Sequence, residues 1–505
     1  MEEAVEICKL RLFLKLVAQV DKVRQLEPLP DIDFNIRPGN TLVGFAKLED
    51  VQRTLDGNLP FYKDQVKRIV EDAEIVERAF QRFHEMQTDY GMDASDFAAQ
   101  KKELRDRLKK LTHELDKYLA LEYGIYENQK DAFDQWRISH QPFHWFVEFY
   151  GIIISGGFDV IIGNPPYVEY RTVRSQYKVK NYSTETCGNL YAYILERCNK
   201  ILCEYGRMGM IVQLPIVCTD RMIPLQMECF NNSCNLWFAN FDDRPARLFE
   251  GLEHIRATIF LSAKAKVDLE DLLTTRYNRW YSENRGSLFN ILKFESTTGL
   301  CFKGAIPKLG EPLGKSILLR LKKYTSLGNF KTYNTPYIVY FHNAPQYWVR
   351  ATDFVPFFWN ERDGEKISTQ VKIICFKTDL EAKCITAVLN SSLFYWWYIL
   401  LSDGRHLNLR EIDNFPVSLD KCGNKIQKKL AELVPKLMKD LKRNANRKEC
   451  SYKTTGRVLY DEFLPKNSKK IIDEIDCIMA KHYGFTNEEL DFIVNYDIKF
   501  RMGQE

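Results

Sequence analysis

The sequence predicts an α/β fold with a mostly parallel sheet, and two observations in the middle of the chain support this. Between about residues 145 and 265, apolar strand-like runs alternate with helix-like segments, which is typical of parallel sheets. Within that region, residues 158–170 read FDVIIGNPPYVEY, an apolar strand that ends abruptly. Two adjacent prolines cannot donate ladder hydrogen bonds, so the strand must stop there.

Composition and charge exclude several classes of protein. The 505 residues are 45% hydrophobic and 28% charged, which is ordinary for a globular chain of two or three domains. The net charge of +4 neither requires nor excludes a nucleic-acid partner. Thirteen scattered cysteines without a CxxC pair favour free thiols over disulfides or a zinc site. No apolar run reaches the roughly 18–20 residues of a membrane span, and no signal peptide is evident, so we expect a cytoplasmic protein without a membrane partner.

The segments before the sheet are predicted to be mainly helical. Residues 4–20 (AVEICKLRLFLKLVAQV) place apolar side chains at helical spacing and predict an amphipathic helix. Residues 28–44 (PLPDIDFNIRPGNTLVG) predict a short strand followed by a Pro-Gly-Asn turn. Residues 62–125 carry two apolar stripes joined near residues 91–95. They predict a helical hairpin that packs on itself, with a partner-binding coiled coil as the alternative.

The sheet itself is predicted from four apolar runs and one helix. FDVIIG predicts a buried strand, and the other runs are the helix NLYAYILERCNKILCEYG and the strands GRMGMIVQLP, LWFANFDD and ATIFLSAK. Residues 300–417 are rich in aromatic and β-branched residues and predict an α+β domain, with AVLNSSLFYWWYILL as a helix. Residues 421–505 are predicted to be helical. Between Lys425 and Lys470 there are 14 basic against 5 acidic residues, which a solvated helix face explains as well as DNA contact.

The residues after FDVIIG suit the recognition of an aromatic amine. Ligands of open α/β sheets bind beyond the carboxyl ends of the strands. The side-chain carbonyl of Asn164 and the backbone carbonyl of Pro165 could both accept from one exocyclic NH₂ group and orient its lone pair. Tyr167 could stack on a planar ring, and Pro166 stiffens the loop. An adenine taken out of its stack fits this chemistry, whereas the alternative is a strand-ending turn with no role in binding.

Asn164-Pro165-Pro166-Tyr167 resembles the catalytic motif of the γ-type adenine-N6 DNA methyltransferases. Its surroundings resemble the large methylases of type IIG restriction–modification and BREX-like phage-defence systems. The segments that follow this family's order are EAVEICKLRLFLKLV…LPDIDFNIRPGNTLVG, FDVIIGNPPYVEY, LYAYILERCNKIL, GRMGMIVQLPIV and FDDRPARLFEGLEHIRATIFL. The resemblance extends over nearly the whole chain. It implies S-adenosylmethionine as the cofactor and double-stranded DNA as the partner.

The resemblance also implies roles for individual residues around the target base. Asn164 and Pro165 would accept from the adenine amino group, with Pro166 completing the catalytic motif, and Tyr167 would stack on the base. Phe241 would support the other face of the flipped base. Phe238 is the alternative residue for that role, and a buried strand aromatic is the competing interpretation.

Further residues are assigned to the cofactor and to the loop by the same resemblance. Gly39 and Asn40 lie where the family places a polar side chain toward the adenine ring of S-adenosylmethionine, and Asn164 would also face the cofactor. An ordinary asparagine turn is the competing interpretation of Gly39 and Asn40. Asp159 could cap or orient the motif loop, or simply be a strand residue.

The chain departs from the family at the cofactor loop. In the family a Gly-rich loop and an acidic residue on the second strand lie upstream of EAVEIC, and here Met1 stands almost directly before that segment. Glu2, Glu3 and Glu6 are explained by a helix start. No PD…ExK nuclease pair is evident. We therefore expect the C-terminal part of a methyltransferase with an uncovered sheet edge and uncovered apolar helix faces. Such a chain would either be complemented by a separate chain that supplies the missing strands or have poor stability alone.

The predicted fold is an incomplete Rossmann-like methyltransferase domain with a helical insertion, an α+β DNA-recognition domain and a helical C-terminal tail. The predicted boundaries are 1–60 for the N-terminal methyltransferase part, 61–135 for the insertion, 136–295 for the catalytic core, 296–420 for the recognition domain and 421–505 for the tail. IPKLGEPLGKSILLRLKKY, TPYIVYF and GRHLNLREIDNFPV resemble a TaqI-like specificity domain. His406, Asn408 and Arg410 are candidate base-reading residues, with structural roles equally open.

Several functions stay open at this level. The first is an adenine-N6 DNA methyltransferase of the type IIG kind, which needs no metal and whose truncation would explain inactivity of this chain alone. The alternative is a catalytically inactive DNA-binding or specificity subunit that works with another chain. A weaker third is methylation of an RNA base or a glutamine side chain, because NPPY also occurs in such enzymes.

Overall fold

The computed structural model describes residues 2–19, 34–58, 62–88, 94–126, 128–251, 253–420 and 422–503. The chain divides into two compact units. Unit 1 comprises Met1–Ile211, Met227–Cys234 and Leu261–Leu269, and unit 2 comprises Val212–Gln226, Asn235–Phe260 and Glu270–Glu505. All thirteen cysteines are free thiols.

The helices and strands up to residue 264 alternate after a helical N-terminal part. They are α1 (Glu2–Val17), α2 (Leu48–Asn58), α3 (Tyr62–Thr88), α4 (Ala94–Glu122), α5 (Lys130–His140), α6 (Trp145–Glu148), α7 (Tyr150–Ile154), β1 (Phe158–Gly163), α8 (Tyr170–Val173), α9 (Leu190–Ile201), β2 (Leu202–Gln213), α10 (Ile223–Asn232), β3 (Ser233–Phe241) and β4 (Ala257–Lys264). The division between the units falls inside β2, α10, β3 and β4.

The remaining elements belong to unit 2. They are β5 (Asp271–Asn278), β6 (Glu295–Ser296), α11 (Pro312–Leu321), β7 (Ile338–His342), β8 (Ala351–Thr352), β9 (Phe358–Asn360), β10 (Gly364–Glu365), β11 (Val371–Cys375), α12 (Asp379–Asn390), α13 (Ser392–Leu401), α14 (Leu409–Asp413), α15 (Asn424–Arg443), β12 (Asn446–Tyr452), β13 (Gly456–Glu462), α16 (Lys469–Tyr483), α17 (Asn487–Val494) and α18 (Ile498–Arg501).

Each unit contains paired strands. In unit 1 the strand order is β1-β2-β4, and β1 pairs with β2 in parallel, with Gly163 opposite Met210. In unit 2 the order is β4-β3-β5-β6, with β3 and β5 parallel and β5 and β6 antiparallel. The predicted α/β class is therefore confirmed as a mixed sheet with helices. The strand β5 was not anticipated.

β1 is a strand, as predicted, but it is not buried. Val160 is 60% exposed and Ile162 is 79% exposed, whereas Phe158 and Ile161 pack against the core of unit 1. The physical reason is its position: β1 ends the strand order, so within the described residues it has a neighbouring strand on one side only. The prediction of a buried strand was wrong.

The N-terminal predictions had mixed outcomes. α1 forms, but its apolar residues Ile7, Leu10 and Leu14 are exposed rather than packed on a core, and Val20 lies outside the described residues. The strand predicted in residues 28–44 does not form where the chain is described, because residues 34–39 adopt turns and bends and Asn40 makes only an isolated bridge. Residues 28–33 lie outside the described residues.

The predicted helical hairpin is confirmed. α3 and α4 pack together through two buried stripes, and the rings of Phe83 and Phe97 lie 4.8 Å apart where the helices meet. The buried side chains of these stripes are Ile69, Ala73, Val76, Phe83, Leu104, Leu108, Leu111, Leu115 and Leu119. The apolar stripes of both helices are thus buried within unit 1.

The C-terminal predictions need two corrections. The segment predicted as one helix is two, because the side chain of Ser391 accepts from Phe394 N and starts α13 at an angle of 67° to α12. Residues 421–505 are not purely helical, since β12 and β13 form an antiparallel hairpin in a sheet of order β10-β9-β13-β12. A second small sheet has the order β11-β7-β8.

No single helix in the described part of the chain is long and apolar enough to cross a membrane. The bent pair α12–α13 passes the same test only when its two helices are taken together, and every residue of α13 is buried.

Candidate functional site

The motif residues lie at the carboxyl end of β1. Asn164 follows Gly163 directly and is exposed, Pro165 is buried and Pro166 is exposed. Because β1 and β2 are parallel, their carboxyl ends meet at one edge of the sheet. The Tyr167 hydroxyl lies 2.9 Å from Asn164 Oδ1 and 2.9 Å from the carbonyl oxygen of Ile211 on β2. The structure therefore brings two predicted site residues together and fastens their loop to the neighbouring strand.

Tyr167 is half-buried, and burial affects the pKa of its hydroxyl. Burial raises the pKa of the Tyr167 hydroxyl to about 12, so the phenol remains protonated at neutral pH. Its ring meets the ring of buried Tyr191 edge to face, with centroids 6.4 Å apart. The stacking of Tyr167 on a base stays a prediction.

The loop beyond Tyr167 is held by the start of α9. Leu190 N donates to Val168 O at 2.9 Å, and Tyr170 N donates to Gly188 O at 2.8 Å. Asn189 caps α9 by accepting from the backbone N–H of Tyr191. A buried, capped helix thus anchors the exit of the loop, and this helps to hold Asn164 in one place.

Gly39 and Asn40 have local structural roles. Asn40 Oδ1 accepts from Leu42 N at 3.2 Å, and Asn40 N donates to Gln141 O at 2.8 Å. A Cβ at Gly39 would come within 2.6 Å of the Phe143 ring, so only glycine fits there without a shift. The turn interpretation accounts for both residues, and contact with a cofactor stays a prediction.

The segment containing these residues is tied to α9 by contacts that sequence reasoning missed. The Leu42 carbonyl accepts from the Tyr182 hydroxyl at 2.8 Å and from Arg197 Nη2 at 3.1 Å, and Arg197 Nε donates to the Tyr182 oxygen at 2.9 Å. The signal available in the sequence was an arginine, Arg197, within the apolar pattern of α9. A buried arginine needs such acceptors.

Asp159 does not orient the motif loop. Its carboxylate accepts from the Cys203 thiol at 3.6 Å, near the amino ends of β1 and β2, which is the end of the strands away from Asn164. A cavity of about 600 Å³ opens beside it, lined among others by Glu77 and by Arg37 and Glu148, which form an ion pair at 3.2 Å. The predicted role of Asp159 is therefore corrected.

Phe241 and Phe238 are both core residues of unit 2. Phe241 packs in a small cluster with Trp280 and Leu288, and Phe238 packs on Phe260 with ring centroids 5.3 Å apart. Neither ring is accessible to a base in this structure. Their placement matches the buried-aromatic interpretation, and support of a flipped base stays a prediction that would require this core to open.

The residues after Phe241 form an ion-pair network that the sequence did not reveal. Asp242 accepts from Arg279 at 2.8 Å, and Arg279 also donates to Asp497 at 2.6 Å and to the Tyr395 hydroxyl at 2.9 Å. Burial alone would raise the pKa of Asp242. Arg279 and Arg256 outweigh that effect and hold the pKa below its ordinary value.

Of the three candidate base-reading residues, Arg410 is fully engaged in unit 2. Its guanidinium donates to Asp220 Oδ1 and to the Cys218 carbonyl at 2.7 Å each. Asn408 starts α14, with its backbone N donating to Glu411 at 2.8 Å, and exposed His406 lies 3.2 Å from Asp403. The structural interpretation accounts for Arg410 and for the backbone of Asn408, while base reading by the exposed side chains of His406 and Asn408 stays a prediction.

Comparison with known proteins relates the chain to restriction–modification methylases. Residues 1–222 match the model of the Eco57I restriction-modification methylase family. Over 276 residues, or 46% of this chain, the sequence is 29% identical to a protein of Methanocaldococcus jannaschii named as a type II restriction enzyme and methyltransferase. The chain spans 23% of the length of that relative.

Solved structures give a weaker likeness. The type IIG restriction endonuclease BpuSI matches with 10% identity over 67% of this chain and 54% of its own, at a TM-score of 0.26. The DrdV–DNA complex matches with 12% identity over 75% and 58%, at a TM-score of 0.30. A nuclease-deletion mutant of the type ISP enzyme LlaGI, bound to a DNA substrate mimic, matches with 11% identity over 56% and 41%, at 0.31. TM-scores this low do not establish a shared fold.

Proposed function

We propose that this chain is the target-base part of an adenine-N6 DNA methyltransferase that acts in a restriction–modification or phage-defence system. The observation that carries the proposal is an exposed amide, Asn164, held at the carboxyl end of two parallel strands by the Tyr167 hydroxyl. The family match over residues 1–222 includes this site and supports a DNA methylase.

The site would act by holding the target amine. The side-chain carbonyl of Asn164, with the Pro165 carbonyl, would accept from the two N–H bonds of adenine N6. Both acceptors engaged at once would leave the nitrogen lone pair aimed away from the loop. Tyr167 would stack on the flipped base, because every base presents a π face to an aromatic ring.

The methyl donor is proposed to be S-adenosylmethionine, because a methylase family implies a methyl-donor cofactor. The described residues do not complete a cradle for it. Gly39 and Asn40 form a turn. Gly157, just before β1, lies against the Ile201 carbonyl, which a Cβ at that position would meet. None of the described strands is followed by a Gly-rich loop that opens a helix. The cradle would therefore need further polypeptide.

The exposed edge of β1 is the proposed place for that polypeptide. Val160 and Ile162 are exposed on β1, and the apolar residues of α1 are exposed in the same unit. An open strand edge with exposed apolar side chains favours pairing with another strand. We infer that a separate or preceding segment covers β1 and contributes the cofactor loop.

Double-stranded DNA is the proposed substrate, and α15 is the proposed backbone contact. Its apolar face packs into unit 2 and its other face is basic. The exposed cations of α15 are Lys425, Lys428, Lys429, Lys436, Lys439, Lys442 and Arg443. Cations on one helix face can neutralise successive phosphates, which would give salt-dependent affinity without reading sequence.

The test of the methyltransferase proposal is methyl transfer to adenine in double-stranded DNA, with cofactor binding measured by calorimetry and S-adenosylhomocysteine as control. Asn164→Ala is expected to lower methyl transfer by about 10²–10³-fold, the usual effect of removing a transition-state hydrogen-bonding group. Asn231→Ala, on the exposed side of α10 in unit 1, is the matched control and is expected to leave transfer unchanged. Transfer that survives Asn164→Ala would contradict the proposal.

A DNA-binding subunit without activity is the second candidate, and the incomplete cofactor cradle favours it for this chain alone. It predicts DNA binding that survives Asn164→Ala and no binding of S-adenosylmethionine. Lys428→Glu with Lys429→Glu is expected to weaken DNA binding and to reduce its salt dependence by about two phosphate contacts. Unchanged salt dependence would exclude α15 as the contact.

A further inference from the structure

The Tyr167 hydroxyl has one proton and two oxygen neighbours. It lies 2.9 Å from Asn164 Oδ1 and 2.9 Å from the carbonyl oxygen of Ile211. A tyrosine phenol is protonated at neutral pH, and burial raises the pKa of this one further, to about 12, so it can donate only one hydrogen bond. One of the two contacts would then be an oxygen–oxygen pair without a proton between them.

A half-turn of the Asn164 amide removes this conflict. The oxygen and nitrogen of an asparagine amide exchange places in that rotation, so the surrounding hydrogen bonds decide which orientation is stable. The Ile211 carbonyl can only accept, which commits the Tyr167 proton to it. Tyr167 Oη can then accept from Asn164 Nδ2, and two hydrogen bonds satisfy all three groups.

We propose that Tyr167 is a positioning residue whose hydroxyl sets the orientation of the Asn164 amide, so that Nδ2 faces Tyr167 and Oδ1 faces the substrate side. This inference rests on the proposed function for its purpose, since an acceptor must meet the amino group of the target. In the opposite orientation Asn164 would present a second NH₂ group to that amine, and no hydrogen bond could form. In this arrangement Asn164 Nδ2 donates to Tyr167 Oη, and the Tyr167 hydroxyl donates to the Ile211 carbonyl.

The arrangement explains why the loop is fastened to β2 through a hydroxyl rather than through its ring alone. Asn164 is exposed, and its side chain makes no other hydrogen bond to the described residues. Without Tyr167 the amide would rotate freely between two orientations in water. A second hydrogen bond to a carbonyl of the regular sheet fixes the direction in which the proton points.

The orientation can be measured without any activity. In protein labelled with ¹⁵N at asparagine side chains, the Asn164 NH₂ signals are identified by their loss in Asn164→Ala. We expect these protons to be protected from solvent exchange, and Tyr167→Phe to lower the protection about tenfold, as expected for one lost hydrogen bond. Tyr205→Phe is the matched control, because Tyr205 lies on the same strand as Ile211 and is 75% exposed. An Asn164 NH₂ group that exchanges equally fast with and without the Tyr167 hydroxyl would overturn the inference.

Kinetics then separate this inference from the proposed function. Tyr167→Phe keeps the ring, so the KM for DNA is expected to stay within about twofold while kcat falls about tenfold. A fall in DNA affinity with unchanged kcat would assign Tyr167 to stacking alone and contradict a positioning role for the hydroxyl. If no methyl group is transferred even when the polypeptide that completes the cofactor cradle is supplied, the proposed function fails, while the exchange measurement still decides the orientation of the amide.

Discussion

Replacing Arg279 by methionine is expected to destabilise unit 2 by about 3 kcal/mol at neutral pH, near the lower end of the usual range for breaking a buried ion pair. The Arg279 side chain is 2% exposed, and it lies between Asp242 at 2.8 Å and Asp497 at 2.6 Å. Methionine keeps the apolar stem and removes the charge, so two buried carboxylates lose their shared partner. Arg256 at 3.4 Å from Asp242 remains, which places the effect near the lower end.

The pH dependence gives this prediction its sign. The pKa of Asp242 is depressed in the folded protein, so its ionised form contributes stability above its unfolded pKa of about 4. That contribution is lost as the pH falls through the depressed pKa. In Arg279→Met the Asp242 carboxylate loses the partner that lowers its pKa and protonates more readily, so the difference from wild type should be larger at pH 7.5 than at pH 5.

Urea unfolding followed by tryptophan fluorescence at both pH values measures this difference. Lys383→Met is the matched control, since Lys383 pairs with Asp379 at 2.7 Å on an exposed helix face. Such a pair contributes about 0.5 kcal/mol. A loss below about 1 kcal/mol for Arg279→Met at pH 7.5, or a loss equal to that of the control, would refute the view that this network stabilises unit 2.

Three further predictions follow from single contacts. Gly39→Ala should destabilise unit 1 by about 1–3 kcal/mol in urea unfolding, because its Cβ would meet the Phe143 ring, whereas Gly286→Ala has open space and should be nearly neutral. Ile162→Thr, on the exposed face of β1, should change the free energy of unfolding by no more than about 0.5 kcal/mol and should lower self-association measured by light scattering. Ile161 packs on the core, so Ile161→Thr should lower the free energy of unfolding. Equal losses for the two variants would contradict the one-sided burial of β1. Burial raises the pKa of Asp476 to about 6, although hydrogen bonds from the N–H groups of Ser392 and Leu393 act in the opposite direction. The free energy of unfolding of the wild type should therefore fall as the pH rises from 4 through 6. In urea titrations Asp476→Asn should make that fall smaller.

The strands and helices with strong local patterns could be predicted from the sequence. The apolar runs around β1, β3 and β4 and the heptad-like spacing of α3 and α4 fix their own secondary structure, because burial periodicity differs between strand and helix. β5 and the β12–β13 hairpin escaped prediction. β12 is polar and exposed along most of its length, and its pairing with β13 is decided by a partner strand rather than by its own apolar pattern.

The loop Asn164-Pro165-Pro166-Tyr167 could also be predicted from the sequence, because two prolines after an apolar strand leave the backbone few conformations other than a strand end. The burial of Phe241 could not be predicted from the sequence, because the local sequence around an aromatic residue at a strand end is the same whether its ring faces solvent or a core. The same holds for Arg410, whose partners Asp220 and Cys218 lie far away in sequence and become neighbours only in the folded unit.

The sequence by itself determined the α/β class, the helical hairpin and the amide-bearing loop, since each follows from residue types a few positions apart. Only the tertiary structure decided that β1 has an open edge, that Asp242 is held by Arg279 and that the Tyr167 hydroxyl joins Asn164 to Ile211. Such facts depend on contacts between distant residues, and local periodicity carries no information about which distant group will face a given side chain.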